Sequence, residues 1–490
     1  MSSISERIAT GFKASLAARA VHALANGALL IILTRYLLDP EQYGLLYFAI
    51  SVVGVAELFA TLGIPNATAR YVNEYLERDD TQVRHIIWWS LLIISGIAVT
   101  VAVVITVVSE PLATLLGRPS VTSALFVGGL YVLGRSLSGY LKSVFQAFNR
   151  VTYSAALTAV NSVTRLVAAT GLVVLGYGVT GAMAGYVIGF FTATVVGLVL
   201  LYTRFYRDLP ATDDPESGLR RRLIEYSVPT AATRASVVVD SKIDTVLVGI
   251  LATPAAVGFY TLARQIADLC IVPAQSLGFT ISPTLGEQSA AENRERAGGI
   301  YDTSLRNVLL LYVPAAAGLV VVARPTVRYV VGPDYLGAVP LIQLYALFVV
   351  VRAVHKITGS ALDYLGLARV RAIARGASAV GNLGLNVLLI PPLGALGAGI
   401  ATVITYTAYT FVNVYYIHRE LPFDAHGVVN HLARVSAIAL VMGGVVFTLL
   451  PRVDGLLTLS AAILVGGVVW AALAVASGML KPRVVLSFIS

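Results

Sequence analysis

The sequence predicts an all-α, polytopic membrane protein of about 14 transmembrane helices. Three observations carry this prediction. The 490 residues are 57% hydrophobic and only 12% charged, with a mean hydropathy of +0.80. A soluble protein of that size would carry roughly twice the charge. Apolar runs long enough to cross a bilayer recur about fourteen times, with Pro and Gly punctuating nearly every gap. The pattern of the first half then returns in the second, about 214–216 residues later.

The expected spans of the first copy are Ala14–Leu38, Tyr43–Gly63, Ile86–Val108, Val121–Leu141, Val151–Leu175 and Thr180–Thr203. Those of the second are Leu223–Leu251, Ala255–Thr280, Leu305–Ala323, Ala338–Leu362, Arg371–Ile390 and Leu396–Ile417, and Leu432–Leu450 and Leu456–Met479 follow. This divides the chain into an N-terminal six-helix lobe (1–203), a cytoplasmic linker (204–222), a C-terminal six-helix lobe (223–417) and two additional transmembrane helices (418–490). The opening residues MSSISERIATGFK lack the layout of a signal peptide and read as an amphipathic lead-in to the first span. A single cysteine, Cys270, excludes an internal disulfide and any Cys-based zinc or iron–sulfur site.

Loop charge sets the orientation. With the N-terminus in the cytoplasm, inner loops hold about nineteen Lys and Arg, Lys142 and Arg204 among them. Outer loops hold Arg118, Arg324, Arg328 and Arg452. An even number of spans returns the C-terminus to the cytoplasm. The longer connections, Ile64–His85 and Ile281–Ser304, read as amphipathic helices on the inner surface or, equally well, as ordinary polar connections.

The repeat rests on landmarks that share one offset. Pro40 and Gly44 return as Pro254 and Gly258, and Leu62-Gly63 as Leu277-Gly278. Gly178-Val179-Thr180-Gly181-Ala182 returns as Gly394-Ala395-Leu396-Gly397-Ala398, and Asn26 aligns with Asp240. Each match is weak alone, but agreement on one offset is strong. Both copies start on the same membrane side, so the repeat is parallel, as in transporters with two lobes around a central cavity.

The stretches Leu33–Ser51 (LTRYLLDPEQYGLLYFAIS) and Lys242–Ile266 (KIDTVLVGILATPAAVGFYTLARQI), one per lobe, resemble the hallmarks of the polysaccharide flippases. These belong to the multidrug/oligosaccharidyl-lipid/polysaccharide (MOP) exporter superfamily. The resemblance covers nearly the whole chain. It implies movement of a lipid-linked oligosaccharide, on a polyprenyl or dolichyl phosphate carrier, from the cytoplasmic to the outer leaflet of the cell membrane. The expected partners are that substrate, membrane lipids and other polysaccharide assembly proteins, with no nucleic acid.

Ionisable residues inside spans are costly and face a protein interior or a water-filled cavity. Arg135, Lys242, Arg352 and Lys356 lie deepest in the expected spans, with His22, Asn26 and His355. They read as a cationic cavity between the lobes, because a carrier phosphate needs desolvated positive charge and Arg binds its oxygens bidentately. Arg135, Arg352, Lys356, Lys242, Asn26 and Asp240 are the expected substrate contacts. His22, His355 and Asp244 are candidates for ion or proton coupling. The competing reading is local pairing: Lys242 lies between Asp240 and Asp244, and Arg264 stands four residues before Asp268. Arg135 and Arg352, in corresponding spans, have no acid nearby in their own helix. A histidine that merely hydrogen-bonds is the plainer reading of His22 and His355. Tyr406, Tyr409, Tyr415 and Tyr416 could stack on sugars or anchor helix ends.

The sequence holds no Walker loop and no cluster with metal-ligand spacing, so no enzyme, cofactor or metal is expected. A cation-coupled multidrug exporter of the same superfamily is the first alternative. A site for cationic drugs should be rich in carboxylates, whereas basic residues inside the spans outnumber acidic ones about threefold. A membrane polysaccharide polymerase would need a sizeable external loop, and a structural assembly protein would not need the interior charges.

Overall fold

The computed structural model describes residues 4–210, 212, 214–274 and 294–480; the side chains of 4–16, 232–237, 239–241, 360 and 364 fall outside that description. The described chain is helical, without strands, and Cα packing separates it into two compact units, residues 1–258 and 259–490.

The first unit holds α1 (Ile4–Ile32), α2 (Pro40–Thr61), α3 (Ile64–Arg78), α4 (Val83–Val107), the short α5 (Ser109–Leu115) and α6 (Thr122–Ala147). It continues with α7 (Val151–Leu172), α8 (Gly178–Arg204), α9 (Leu219–Leu251) and the first turn of α10 (Pro254–Cys270). Helix α1 packs on α7, α7 on α8, α8 on α6 and α6 on α4, while α2 lies against α4, α6 and α9. The second unit holds the rest of α10, α11 (Arg294–Thr326), α12 (Val339–Tyr364), α13 (Ala368–Leu393), α14 (Ala395–Glu420), α15 (Ala425–Leu449) and α16 (Leu456–Ala476). There α13 packs on α14, α14 on α12 and α12 on α11, the same succession as α7, α8, α6 and α4. The last two helices extend the second unit, α15 on α11 and α16 on α15.

Eleven segments among the described residues are long and apolar enough to cross a membrane, and one of them, Val151–Asp208, contains two helices. The count of fourteen stays an expectation. Several boundaries differ from those read in the sequence. Helix α9 starts at Leu219 and runs 33 residues through Pro229. Helix α11 is already formed at Arg294, ahead of the expected Leu305, because Ala297, Gly298, Tyr301, Ser304 and Leu305 form one buried stripe at helical spacing. The second half of the Ile281–Ser304 connection is therefore part of α11, and residues 281–293 lie outside the described residues. The expected amphipathic helix in Ile64–His85 is α3, whose apolar face, Ile64, Ala67, Val72 and Tyr75, is covered by α4, α6 and α9.

The repeated Pro-x3-Gly motifs are helix starts. Asp39 caps α2 by accepting from Gln42 N (2.8 Å), and Thr253 Oγ1 accepts from Ala256 N (3.2 Å) at the start of α10. Pro40 and Pro254 then take the first helical position, where the missing N–H costs nothing. The two starts cross back to back: a Cβ on Gly44 would run into the Pro254 carbonyl and lie 2.9 Å from Gly258 N. A Cβ on Gly258 would meet the Pro40 carbonyl in the same way, so both positions need glycine for close approach.

The connector after α8 is tied down. His85 Nε2 donates to the Thr212 carbonyl (2.8 Å), and Gln82 donates to the Asp214 carbonyl (3.2 Å) and accepts from Glu216 N (2.9 Å). The Glu216 carboxylate accepts from Tyr75 OH and from Arg222 (2.6 Å). The Tyr75 hydroxyl first and Arg222 second hold that carboxyl below the usual glutamate range. A depressed folded value means that the tie is complete above the ordinary glutamate pKa and is lost as pH falls through the depressed one. Hydrogen exchange at residues 214–218 should therefore stay slow at neutral pH and accelerate only in acid, and Glu216→Gln should accelerate it already at neutral pH. Equal protection in the variant would contradict this role.

Candidate cationic site

In the first unit, α1 and α7 build a directed hydrogen-bond chain. Arg165 Nη2 donates to Asn26 Oδ1, which fixes the amide so that Asn26 Nδ2 donates to His22 Nε2 (2.9 Å). His22 Nδ1 then donates to Ser162 Oγ (2.8 Å), and Ser162 donates to the Thr158 carbonyl (2.7 Å). This polarity requires neutral His22 with its proton on Nδ1. Arg165 is 8% exposed, and its guanidinium lies 4.8 Å from the ring of Tyr186, whose hydroxyl pairs with Tyr47 OH at 2.9 Å. His22 itself is exposed, so the chain opens outward at that end.

The expected deep residue Arg135 sits on α6 and pairs with Glu57 of α2 at 2.5 Å. It also donates to Tyr131 OH (2.9 Å) and lies over the Tyr131 and Phe190 rings, 5.8 Å from each. Its acid comes from another helix, which corrects the inference that lack of a same-helix acid leaves it uncompensated. Lys142, read as an inner-loop residue, lies inside α6, half-buried, within electrostatic reach of Arg135 and Arg165. Lys242 rests its chain on α2, with Cε 3.3 Å from the Cβ position of Gly54. Asp244 is buried; the Asp240 side chain lies outside the described residues.

The second unit has the same plan. Arg352 on α12 pairs with Asp268 of α10 at 2.7 Å and lies over the Phe348 ring (5.8 Å). Asp268, expected as a helical neighbour of Arg264, is thus engaged by Arg352. Lys356 shares its field with Arg352, Arg371, Arg375 and Asp268. Arg371 pairs with Asp363, and Arg375 lies 5.7 Å from the Tyr409 ring. His355 is buried between the rings of Tyr406 (4.9 Å) and Tyr409 (4.8 Å). Those two tyrosines are mid-helix residues of α14 beside the arginines, not helix-end anchors, whereas Tyr415 is exposed against Tyr416.

Each unit therefore carries a cluster of cations on the fourth and fifth long helices of its repeat, α6 and α7 or α12 and α13, with an acid from the second long helix answering one arginine. Sequence reasoning missed Arg165, Arg371 and Arg375 as members. Arg165 falls near the middle of the expected span Val151–Leu175, and that depth is the signal that marks it. Among the described residues no group of His, Cys, Asp or Glu could hold a metal. The groups that gather are mostly donors and cations, which suit the binding of oxyanions.

Helical units with this packing have the polytopic membrane fold that MurJ and MATE proteins share. Residues 14–286 match the polysaccharide biosynthesis protein family, and residues 229–388 match the MatE family. The chain belongs to the polysaccharide biosynthesis protein family. The "Probable low-salt glycan biosynthesis flippase Agl15" of Haloferax volcanii is 22% identical over 84% of this chain and 83% of its own. The "Succinoglycan biosynthesis transport protein ExoT" of Rhizobium meliloti is 24% identical over 64% of this chain and 60% of its own. Among solved structures, lipid II flippase MurJ in an inward closed conformation superposes with TM-score 0.75 at 14% identity, over 95% of this chain and 98% of that one. An inward-facing MATE multidrug transporter gives 0.66 at 17% identity, over 81% of this chain and 94% of that one.

Proposed function

We propose that the protein is a flippase for a lipid-linked oligosaccharide, moving it from the cytoplasmic to the outer leaflet of the cell membrane. The carrier is a polyprenyl or dolichyl phosphate, and both termini lie in the cytoplasm. The observation that carries this reading is the excess of cations over acids in each cluster. Among the described residues Lys142 and Arg165 have no carboxylate within ion-pair distance, and in the second unit Lys356 shares its field with three arginines and a single carboxylate, Asp268. A phosphate brought among such groups regains in charge-assisted hydrogen bonds what it loses in hydration. Agl15, ExoT and MurJ, whose names record flippase or glycan transport roles, support the same reading.

The MatE match and the MATE structures favour a second reading, export of cationic compounds. Of the acids that could serve it, Glu57, Asp244 and Asp268, the first and last are each occupied by an arginine. Reconstituted vesicles separate the two. The protein should translocate a fluorescent oligosaccharide on a polyprenyl phosphate and leave an ethidium gradient unchanged. Ethidium transport without lipid translocation would replace the proposal with the exporter.

A further inference from the structure

We infer that Arg165 and Asn161 form an anion-binding site within the first unit. The inference deepens the carrier reading, which already counts Arg165 among its cations, but it rests on its own observation, the donors left over inside one bundle. Arg165 is 8% exposed and Asn161 5% exposed, four residues apart on one face of α7. Arg165 Nε and Asn161 Nδ2 are both buried and have no hydrogen-bond partner. Both are N–H groups that can only donate, so what satisfies them must be an acceptor. Arg165 has no carboxylate within ion-pair distance among the described residues. Its neighbours in the electrostatic sense are Lys142, another cation, and His22, which is already engaged through both ring nitrogens.

Among the described residues the surrounding elements supply no further acid. Helix α8 meets this face at Gly189, where a Cβ would lie 2.9 Å from Arg165 Cβ and 3.0 Å from the Asn161 carbonyl oxygen. Helix α1 offers Asn26 and His22, and the tyrosine pair Tyr47–Tyr186 closes the ring side. The carboxylate of Glu57 is committed to Arg135. A buried guanidinium and two unanswered N–H groups call for an anion. Its source is either a free inorganic ion of chloride or phosphate type, or the phosphate of a lipid headgroup entering past exposed His22.

The test is thermal unfolding of the detergent-purified full chain at constant ionic strength. One arm replaces gluconate by chloride or inorganic phosphate; the other adds geranylgeranyl pyrophosphate in gluconate. A saturable rise in Tm of several degrees is expected in at least one arm, since a ligand that binds only the folded state stabilises it. A rise with the inorganic ions identifies a free anion, and a rise confined to the lipid identifies the headgroup. Asn161→Asp builds the missing anion into the protein, four residues from Arg165. That variant should melt in gluconate as high as the wild type does with its anion, and should no longer respond to either addition. The site is overturned if no addition moves wild-type Tm. It is equally overturned if Asn161→Asp keeps the full response, which would put the anion elsewhere.

Discussion

Gly44→Ala should abolish transport and sharply lower the yield of folded protein, and Gly258→Ala should do the same. The Cβ of an alanine at 44 points into the backbone carbonyl of Pro254, and the one at 258 into that of Pro40. A flexible side chain could move aside; these contacts are backbone at two capped helix starts, where neither chain can give without separating α2 from α10. Overpacking in a core typically costs about 1–3 kcal/mol, and a collision with fixed backbone falls at or above the top of that range. Gly54→Ala is the control on the same helix: its Cβ would meet only the flexible chain of Lys242, no nearer than 3.3 Å, and folding should survive. Thermal unfolding of the three variants in one detergent decides the matter. Wild-type melting of Gly44→Ala would show that the crossing is looser than described.

The second large effect is expected at the Arg135–Glu57 pair. Arg135→Gln strands Glu57, whose side chain is 20% exposed, beside the apolar surface that the pair now covers. Breaking a fully buried pair costs about 3–5 kcal/mol, and the 39% exposure of Arg135 brings the expected loss to about 1–3 kcal/mol. Loss of transport in that variant would therefore mix folding with recognition. Glu57→Gln/Arg135→Gln removes both charges together and should restore stability. If Arg135 holds the carrier phosphate, the double variant folds normally and still loses transport by about tenfold or more, the equivalent of about 1.4 kcal/mol of binding. Glu57→Gln alone keeps the guanidinium and should keep transport. Arg135→Lys keeps the charge without the bidentate fork and should retain part of it. The corresponding set at Asp268 and Arg352 should behave in the same way. Wild-type flipping per folded molecule in the double variant would remove Arg135 from recognition.

Much of this fold was legible in the sequence because hydropathy and turn residues are local signals. The Pro-x3-Gly landmarks marked the repeat, and Asp39-Pro40 and Thr253-Pro254 announced helix starts through capping chemistry that depends only on neighbours in the chain. What those glycines are for was not legible, since α2 meets α10 only after folding. The ion pairs show the same limit. Helical spacing offered Asp268 to Arg264 and offered Arg135 nothing, whereas packing gave Asp268 to Arg352 and Glu57 to Arg135. Lys142 was placed in a loop because the apolar run ends at Leu141, yet α6 continues to Ala147. His22 and Asn26 were singled out from depth alone, and it took the packing of α1 on α7 to join them to Arg165.

Recognition of the carrier's phosphate by the clustered cations is the property to test. The most direct measurement compares two lipids in one set of reconstituted vesicles: an oligosaccharide on a polyprenyl phosphate, and the same sugar and prenyl chain joined without phosphate. Exposure of the labelled sugar to an outer-leaflet lectin reports translocation of each. The phosphate-bearing lipid should cross at least about tenfold faster than its neutral twin, the margin expected from losing one charge-assisted contact. Equal rates for the two lipids would contradict the account.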